Sequence, residues 1–121
     1  MTIIICLILF QIKHYLVDFH LQSQDQIRTK GTYGNIVGLG HTLEHTLGTT
    51  MVLLPFLWTH PVILLACSFF DTIVHYHVDY CKMRYGIKDI TQPKFWHQLG
   101  QDQLAHQLTY LIIAAIIVHF T

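Results

Sequence analysis

The sequence predicts an all-α, polytopic membrane protein whose four transmembrane helices form two duplicated hairpins, related by a pseudo-twofold axis along the membrane normal. Three observations predict it. Four apolar runs, Thr2 to Ile12, Thr46 to Trp58, Pro61 to Val74 and Leu108 to Phe120, divide the chain. Only 12% of the 121 residues are charged, against ~25% in an ordinary soluble domain. Third, His14, Asp18, His41 and His45 return as His75, Asp79, Asp102 and His106, each displaced by 61 residues (75−14, 79−18, 102−41, 106−45). Neighbours join the first match, His14-Tyr15-Leu16-Val17-Asp18 against His75-Tyr76-His77-Val78-Asp79. Such self-similarity usually records a duplicated supersecondary unit. We therefore expect a single domain over 1–121 with an internal repeat of 1–60 and 61–121.

Each apolar run alone is short of the ~20 residues that cross a bilayer. Each continues into a helix-compatible polar half that holds one of the repeated pairs, giving helices over about 2–22, 38–58, 61–81 and 98–120. The first lacks a basic leading region and an A-x-A-like cleavage site, so it reads as a permanent span rather than a signal peptide. The second follows Gly31 to Gly40, a glycine-spaced stretch. No Gly-Lys-Ser/Thr follows and no strand precedes it, so tight turning and close helix packing explain it better than phosphate binding. The turn Thr59-His60-Pro61 separates the second helix from the third. In the fourth, Leu111 to Val118 (LIIAAIIV) has no polar face, which argues against a small soluble bundle. Phe95-Trp96-His97 before it fits an aromatic interfacial anchor.

Charge sets the orientation. Arg28 and Lys30 lie in the connection 23–37, and Lys82, Arg84, Lys88 and Lys94 in 82–97; Lys13 falls inside the first span, and the termini and the short turn hold no Lys or Arg. The positive-inside rule puts both long connections in the cytoplasm and both termini outside, in a bacterial inner membrane. A formal net charge of zero gives no electrostatic case for nucleic acid. Cys6, Cys67 and Cys81 have no C-x-x-C spacing, and Cys6 and Cys67 read as packed, reduced thiols.

On these spans His14/Asp18, His41/His45, His75/Asp79 and Asp102/His106 converge at one depth near the cytoplasmic interface. Residues four apart share a helical face, and ionisable groups inside a span normally face the bundle interior or a wet cavity. Eight nitrogen and oxygen donors exceed one four-coordinate zinc and suit two ions about 3.5–4 Å apart. Bundle-core dimetal sites built from carboxylates and histidines set the precedent. Zinc is expected, with iron or manganese as alternatives.

His41-Thr42-Leu43-Glu44-His45 also matches H-x-x-E-H, in which two histidines hold zinc and the glutamate is the base. Glu44 is thus the catalytic candidate; a carboxylate partnered by Lys13 is its other reading. Asp71, one turn before His75, is expected to orient that histidine. Gln22, Gln103 and Gln107 are candidate hydrogen-bond donors to a bound oxyanion. His20 and His77 point off the paired faces, and His60 and His119 have no acidic partner.

The set His14-x3-Asp18-Phe19-x2-Gln22, His41-x3-His45, His75-x3-Asp79 and Asp102-Gln103-x2-His106 resembles the bacterial and phage membrane family called domain of unknown function 3307, over essentially the whole chain. That family is similar in pattern to YdjM-type inner-membrane proteins, regarded as candidate metal-dependent hydrolases. The resemblance implies a polytopic inner-membrane protein with a metal site at the matching residues, and no substrate. Glu44, His20 and His77 lie outside the family pattern.

The expected function is a membrane-embedded, metal-dependent hydrolase acting on a lipid, another phosphoester or a membrane peptide. The alternatives are a divalent-metal or proton transporter using the same residues, a di-iron or haem redox protein, and a small membrane protein with a structural polar core. The expected partners are the bilayer and the substrate; a homodimer is compatible with so small a bundle.

Overall fold

The computed structural model describes all 121 residues and is all-helical. Helix α1 (Thr2–Tyr15) runs on into a π-helical turn, Leu16–Leu21; then follow α2 (Gln24–Thr29), α3 (Ile36–Leu57), α4 (Pro61–Tyr85) and α5 (Pro93–Phe120). The four long helices close a ring in the order α1, α3, α4, α5, and α2 lies against α3. Neighbours are antiparallel, since Cys6 and Leu64, early in α1 and α4, share a core with Leu57 and Ile117, late in α3 and α5. That core also takes Phe10, Leu53, Cys67, Tyr110 and Ile113, with the Phe10 and Tyr110 rings stacked at 4.7 Å. It fills the half of the bundle away from the two long connections.

Three helical segments are long and apolar enough to cross a membrane: Thr2–Leu21, Pro61–Tyr85 and Pro93–Phe120. The sequence predicts four. Helix α3 has the length, 22 residues, but His41, Glu44, His45 and the hydroxyls of Thr42, Thr46, Thr49 and Thr50 dilute its apolar content. Those hydroxyls are inward-turned. Thr46 pairs with Thr72 at 2.6 Å and Thr50 with Ser68 at 3.0 Å, joining α3 to α4. Of 28 buried residues, 15 are polar or charged, while Ile8, Leu47, Leu54, Leu65, Phe69 and Leu111 face outward. A water-soluble fold has the opposite bias.

The ends of the helices differ from expectation for local reasons. Connection 23–37 holds α2, started by a capping box in which Ser23 and Gln26 satisfy each other's backbone N–H groups. Asn35 caps α3 by accepting from Val37 N–H at 2.9 Å. Helix α4 runs past residue 81 to Tyr85, where Gly86 closes it, and α5 starts at Pro93 rather than near 98, proline being tolerated in a first turn. Between them the Thr91 hydroxyl and backbone, with Gln92, donate to Asp89 and hold its carboxyl below the usual range.

Candidate metal centre

The polar end of the bundle is built by four helices that each turn two of the repeated residues inward. His14 sits in the last turn of α1 and Asp18 in the π-helical turn. His41 and His45 open α3, His75 and Asp79 lie late in α4, and Asp102 and His106 early in α5. All eight are buried. The π turn departs from the α spacing that the sequence pattern assumes, and π segments occur often at functional sites.

Six of the eight form two donor groups that could hold a metal ion. In the first, Asp18 Oδ1 lies 3.0 Å from His41 Nε2, 2.9 Å from His45 Nε2 and 3.6 Å from His75 Nε2. In the second, Asp79 lies 3.2 Å from His75 Nε2 and 3.6 Å from His106 Nε2. Within each group the donor atoms all lie within 4.8 Å of one another. His75 belongs to both. Its ring is stacked between those of His45 at 3.5 Å and His106 at 4.3 Å.

Hydrogen bonding within the protein does not satisfy this cluster. Nδ1 of His45, both ring nitrogens of His75 and both of His106 are buried without a hydrogen-bond partner. Of these, Nε2 of His75 and of His106 face the carboxylates of the donor groups, and at about 1–3 kcal/mol for each unpaired buried group those two would cost about 2–6 kcal/mol together. An ion bound among the donor groups would use those two nitrogens. Imidazole nitrogens and carboxylate oxygens are donors that suit zinc, iron and manganese, so the residues fit the expected ion.

His14 and Asp102 stand at the flank. His14 Nε2 lies 2.9 Å from Gln103 Oε1, so it donates there, and Nδ1 accepts from the Tyr110 hydroxyl at 3.0 Å. Nδ1 also lies 3.3 Å from Asp18 Oδ2, so both ring nitrogens of His14 face protein groups. Asp102 accepts from Lys82 Nζ at 2.8 Å and from Gln103 Nε2 at 3.1 Å. Gln103 thus bridges the two. Asp102 also keeps its Oδ1 3.3 Å from His106 Nε2, so of the eight expected ligands six form the two donor groups and His14 and Asp102 adjoin them.

Glu44 lies behind His41. One carboxylate oxygen is 3.6 Å from His41 Nδ1, the nitrogen that faces away from Asp18, and the other accepts from Gln26 at 3.2 Å. At 3.6 Å Glu44 stands beside the ring without hydrogen-bonding to it. Asp71 does not orient His75: it pairs with Lys13 at 3.0 Å and accepts from the Thr49 hydroxyl. A Cβ at Gly48 would come within 3.0 Å of Lys13 Cγ, so the absence of a side chain there makes room for the lysine. Lys13 consequently partners Asp71 and not Glu44. Gln22 donates to the backbone carbonyl of Asp18 at 3.0 Å. Gln107 pairs with Gln11 on the surface, and His77 with Tyr33 at 3.2 Å.

Two lysines expected only as orientation signals belong to the centre. Lys30 Nζ is 2.6 Å from Asp79 Oδ2 and 4.0 Å from Asp18 Oδ1, and Lys82 holds Asp102. The Asp79-x-x-Lys82 spacing on one helix could have flagged Lys82; Lys30 gave no such signal, because only the folding of α2 brings it inward. Both line a cavity of about 70 Å³ that reaches Asp18, Asp79 and Gln103 from the end carrying the connections. A wider groove of about 430 Å³ between α4 and α5 shares Lys82 and Asp102.

A family model described as "Protein of unknown function (DUF3307)" matches residues 6–121. No curated protein matches the chain. No solved structure matches it either.

Proposed function

We propose a membrane-embedded, metal-dependent hydrolase for this chain, which belongs to the DUF3307 family of proteins of unknown function. The observation that carries the reading is the convergence of Asp18, His41, His45 and His75, beside Asp79 and His106, with buried imidazole nitrogens that no protein group satisfies. Those residues would hold the ion, zinc first, with iron or manganese as alternatives. When bound, the ion would supply Lewis acidity and make water a better nucleophile near neutral pH.

The chain's own residues do the rest. Glu44 stands 3.6 Å behind His41 Nδ1 and would close on that nitrogen to orient the ring, as carboxylates behind metal-binding histidines commonly do. Gln103 holds His14 and Asp102 in place, and Lys82 keeps Asp102 neutralised at the wall of the open groove. A substrate would approach the ion through the cavity that Asp18 and Asp79 line together with Lys30 and Lys82. Lysine at the wall favours an anionic group, so a phospholipid or other phosphoester is the first substrate class and a membrane peptide the second.

The setting belongs to the same proposal. Four helices would span a bacterial inner membrane as two related hairpins, with α3 sheltering its polar face against α4. The termini would lie outside and the basic connections in the cytoplasm, which places the centre near lipid headgroups. The further likeness to YdjM-type proteins agrees with this. Transport is the weaker reading, because the packed layer of Phe10, Leu53, Tyr110 and Ile113 would have to open.

The test is metal analysis of protein purified in detergent, paired with hydrolysis of a fluorescent phospholipid before and after chelation. Stoichiometric metal and lipid cleavage lost with the chelator and restored by the metal are expected. A fully folded chain without metal or hydrolysis would defeat the reading.

A further inference from the structure

Lys30 occupies an unusual place for a lysine from a connecting segment. Its side chain is 10% exposed, and its ammonium touches carboxylates of both donor groups, Asp79 at 2.6 Å and Asp18 at 4.0 Å. It is delivered there by a built structure. The Ser23–Gln26 box starts α2, Gln26 is anchored on Glu44, and the Lys30 N–H closes the helix on the Gln26 carbonyl at 3.1 Å. The next residue, Gly31, runs so close to α4 that a Cβ would stand 3.3 Å from the Met83 backbone. The segment is pinned on both sides of the lysine.

We infer that Lys30 is the second cation of this centre: its ammonium holds the position a second divalent ion would need, so each chain binds one ion and not two. The inference rests on the metal reading above and narrows it. Charge supports it. Four carboxylates surround the centre (Asp18, Glu44, Asp79 and Asp102), and two ammonium groups, Lys30 and Lys82, contact them. Glu44 is 39% exposed, so the enclosed set, Asp18, Asp79 and Asp102 against Lys30 and Lys82, carries at most one net negative charge, which one divalent ion already cancels. A second ion would add two more positive charges beside the buried Lys30 ammonium, where uncompensated charge is costly.

Donor number agrees. A neutral imidazole has one free nitrogen lone pair, so His75 can serve only one of the two groups it joins. Once it is committed to Asp18, His41 and His45, the other group is left with His106, Asp79 and the Oδ1 of Asp102, and both carboxylates already carry a lysine, Lys30 on Asp79 and Lys82 on Asp102. Asp79 is then a carboxylate held by lysine.

The experiment counts ions. Wild-type protein, Lys30→Met and Lys30→Arg are stripped with chelator, saturated with zinc, and assayed for zinc per chain by mass spectrometry, with helicity checked by circular dichroism. One zinc per chain is expected for the wild type and for Lys30→Arg, rising toward two in Lys30→Met. Two per wild-type chain, or one in a folded Lys30→Met, overturns the inference and leaves the metal reading intact. No zinc in any folded variant overturns the metal reading and the inference with it. Manganese-loaded wild type gives an answer that needs no variant. An isolated-ion six-line paramagnetic resonance spectrum is expected, and an exchange-coupled pair would refute a single-ion centre.

Discussion

Replacing Asp18 with asparagine separates metal binding from structure, because Asp18 Oδ1 is the one atom within 3.6 Å of three imidazole nitrogens. Asparagine keeps the shape and an acceptor oxygen but loses the charge that a divalent ion needs. In the wild type, zinc at a thousand times its dissociation constant adds ~4.1 kcal/mol to the stability of the folded state. For 121 residues, an unfolding entropy of ~2.1 cal/mol/K per residue gives ~0.25 kcal/mol/K, so the melting temperature rises by ~16 °C. Supporting residues around a metal are worth ~10–100-fold in affinity, so a direct ligand is worth at least the upper figure. A hundredfold weaker site loses ~2.7 kcal/mol, which leaves a zinc shift of ~6 °C in Asp18→Asn. The assay is thermal unfolding in detergent, with chelator and with zinc, for both proteins. An undiminished zinc shift in Asp18→Asn refutes the role given to Asp18. A wild type that melts identically with zinc and with chelator refutes the whole ledger of metal stabilisation.

Three further outcomes follow from the same geometry. Lys13→Met leaves Asp71 as an unpaired carboxylate deep in the bundle and should cost ~3–5 kcal/mol; adding Asp71→Leu should recover most of the loss, and thermal unfolding of the single and double variants checks both. Glu44→Ala should weaken metal binding ~10–100-fold by freeing His41 while leaving the stoichiometry unchanged; a lost rate of hydrolysis at unchanged metal affinity would instead make Glu44 the acid/base of the reaction. Single cysteines placed at Lys88 and at Thr121, in a chain whose three native cysteines are replaced by serine, should be labelled by impermeant maleimide from opposite sides of the membrane, and labelling of both from one side would reject the proposed orientation.

The periodic parts of the molecule were legible in the sequence and the irregular parts were not. Pairs at i and i+4 put His41 with His45, His75 with Asp79, and Asp102 with His106 on inward faces, because an α-helix repeats its face at that spacing. Extending short apolar runs through those pairs located the long helices, and the basic connections identified the end at which the donors gather. Three things escaped. The ring nitrogens of His14 are taken by Tyr110 and Gln103, contacts that depend on how α1 meets α5 and that no local spacing encodes. Asp71 shares a helical face with His75, yet a lysine from α1 reaches it first, with Gly48 giving the clearance. Lys30 was hidden in a stretch read as a loop, although Ser23-x-x-Gln26 carries the signature of a helix start. Helix α3 falls short of the other three in apolar content because it carries His41, Glu44, His45 and four threonines, most of them turned inward.

The central claim, that these histidines and aspartates hold a metal, is tested most directly by anomalous diffraction at the zinc edge, or at the edge of whichever metal co-purifies. A single anomalous peak among Asp18, His41, His45 and His75 is predicted, with Lys30 still against Asp79. A well-resolved bundle with water alone between those four side chains, in protein never exposed to chelator, would contradict it.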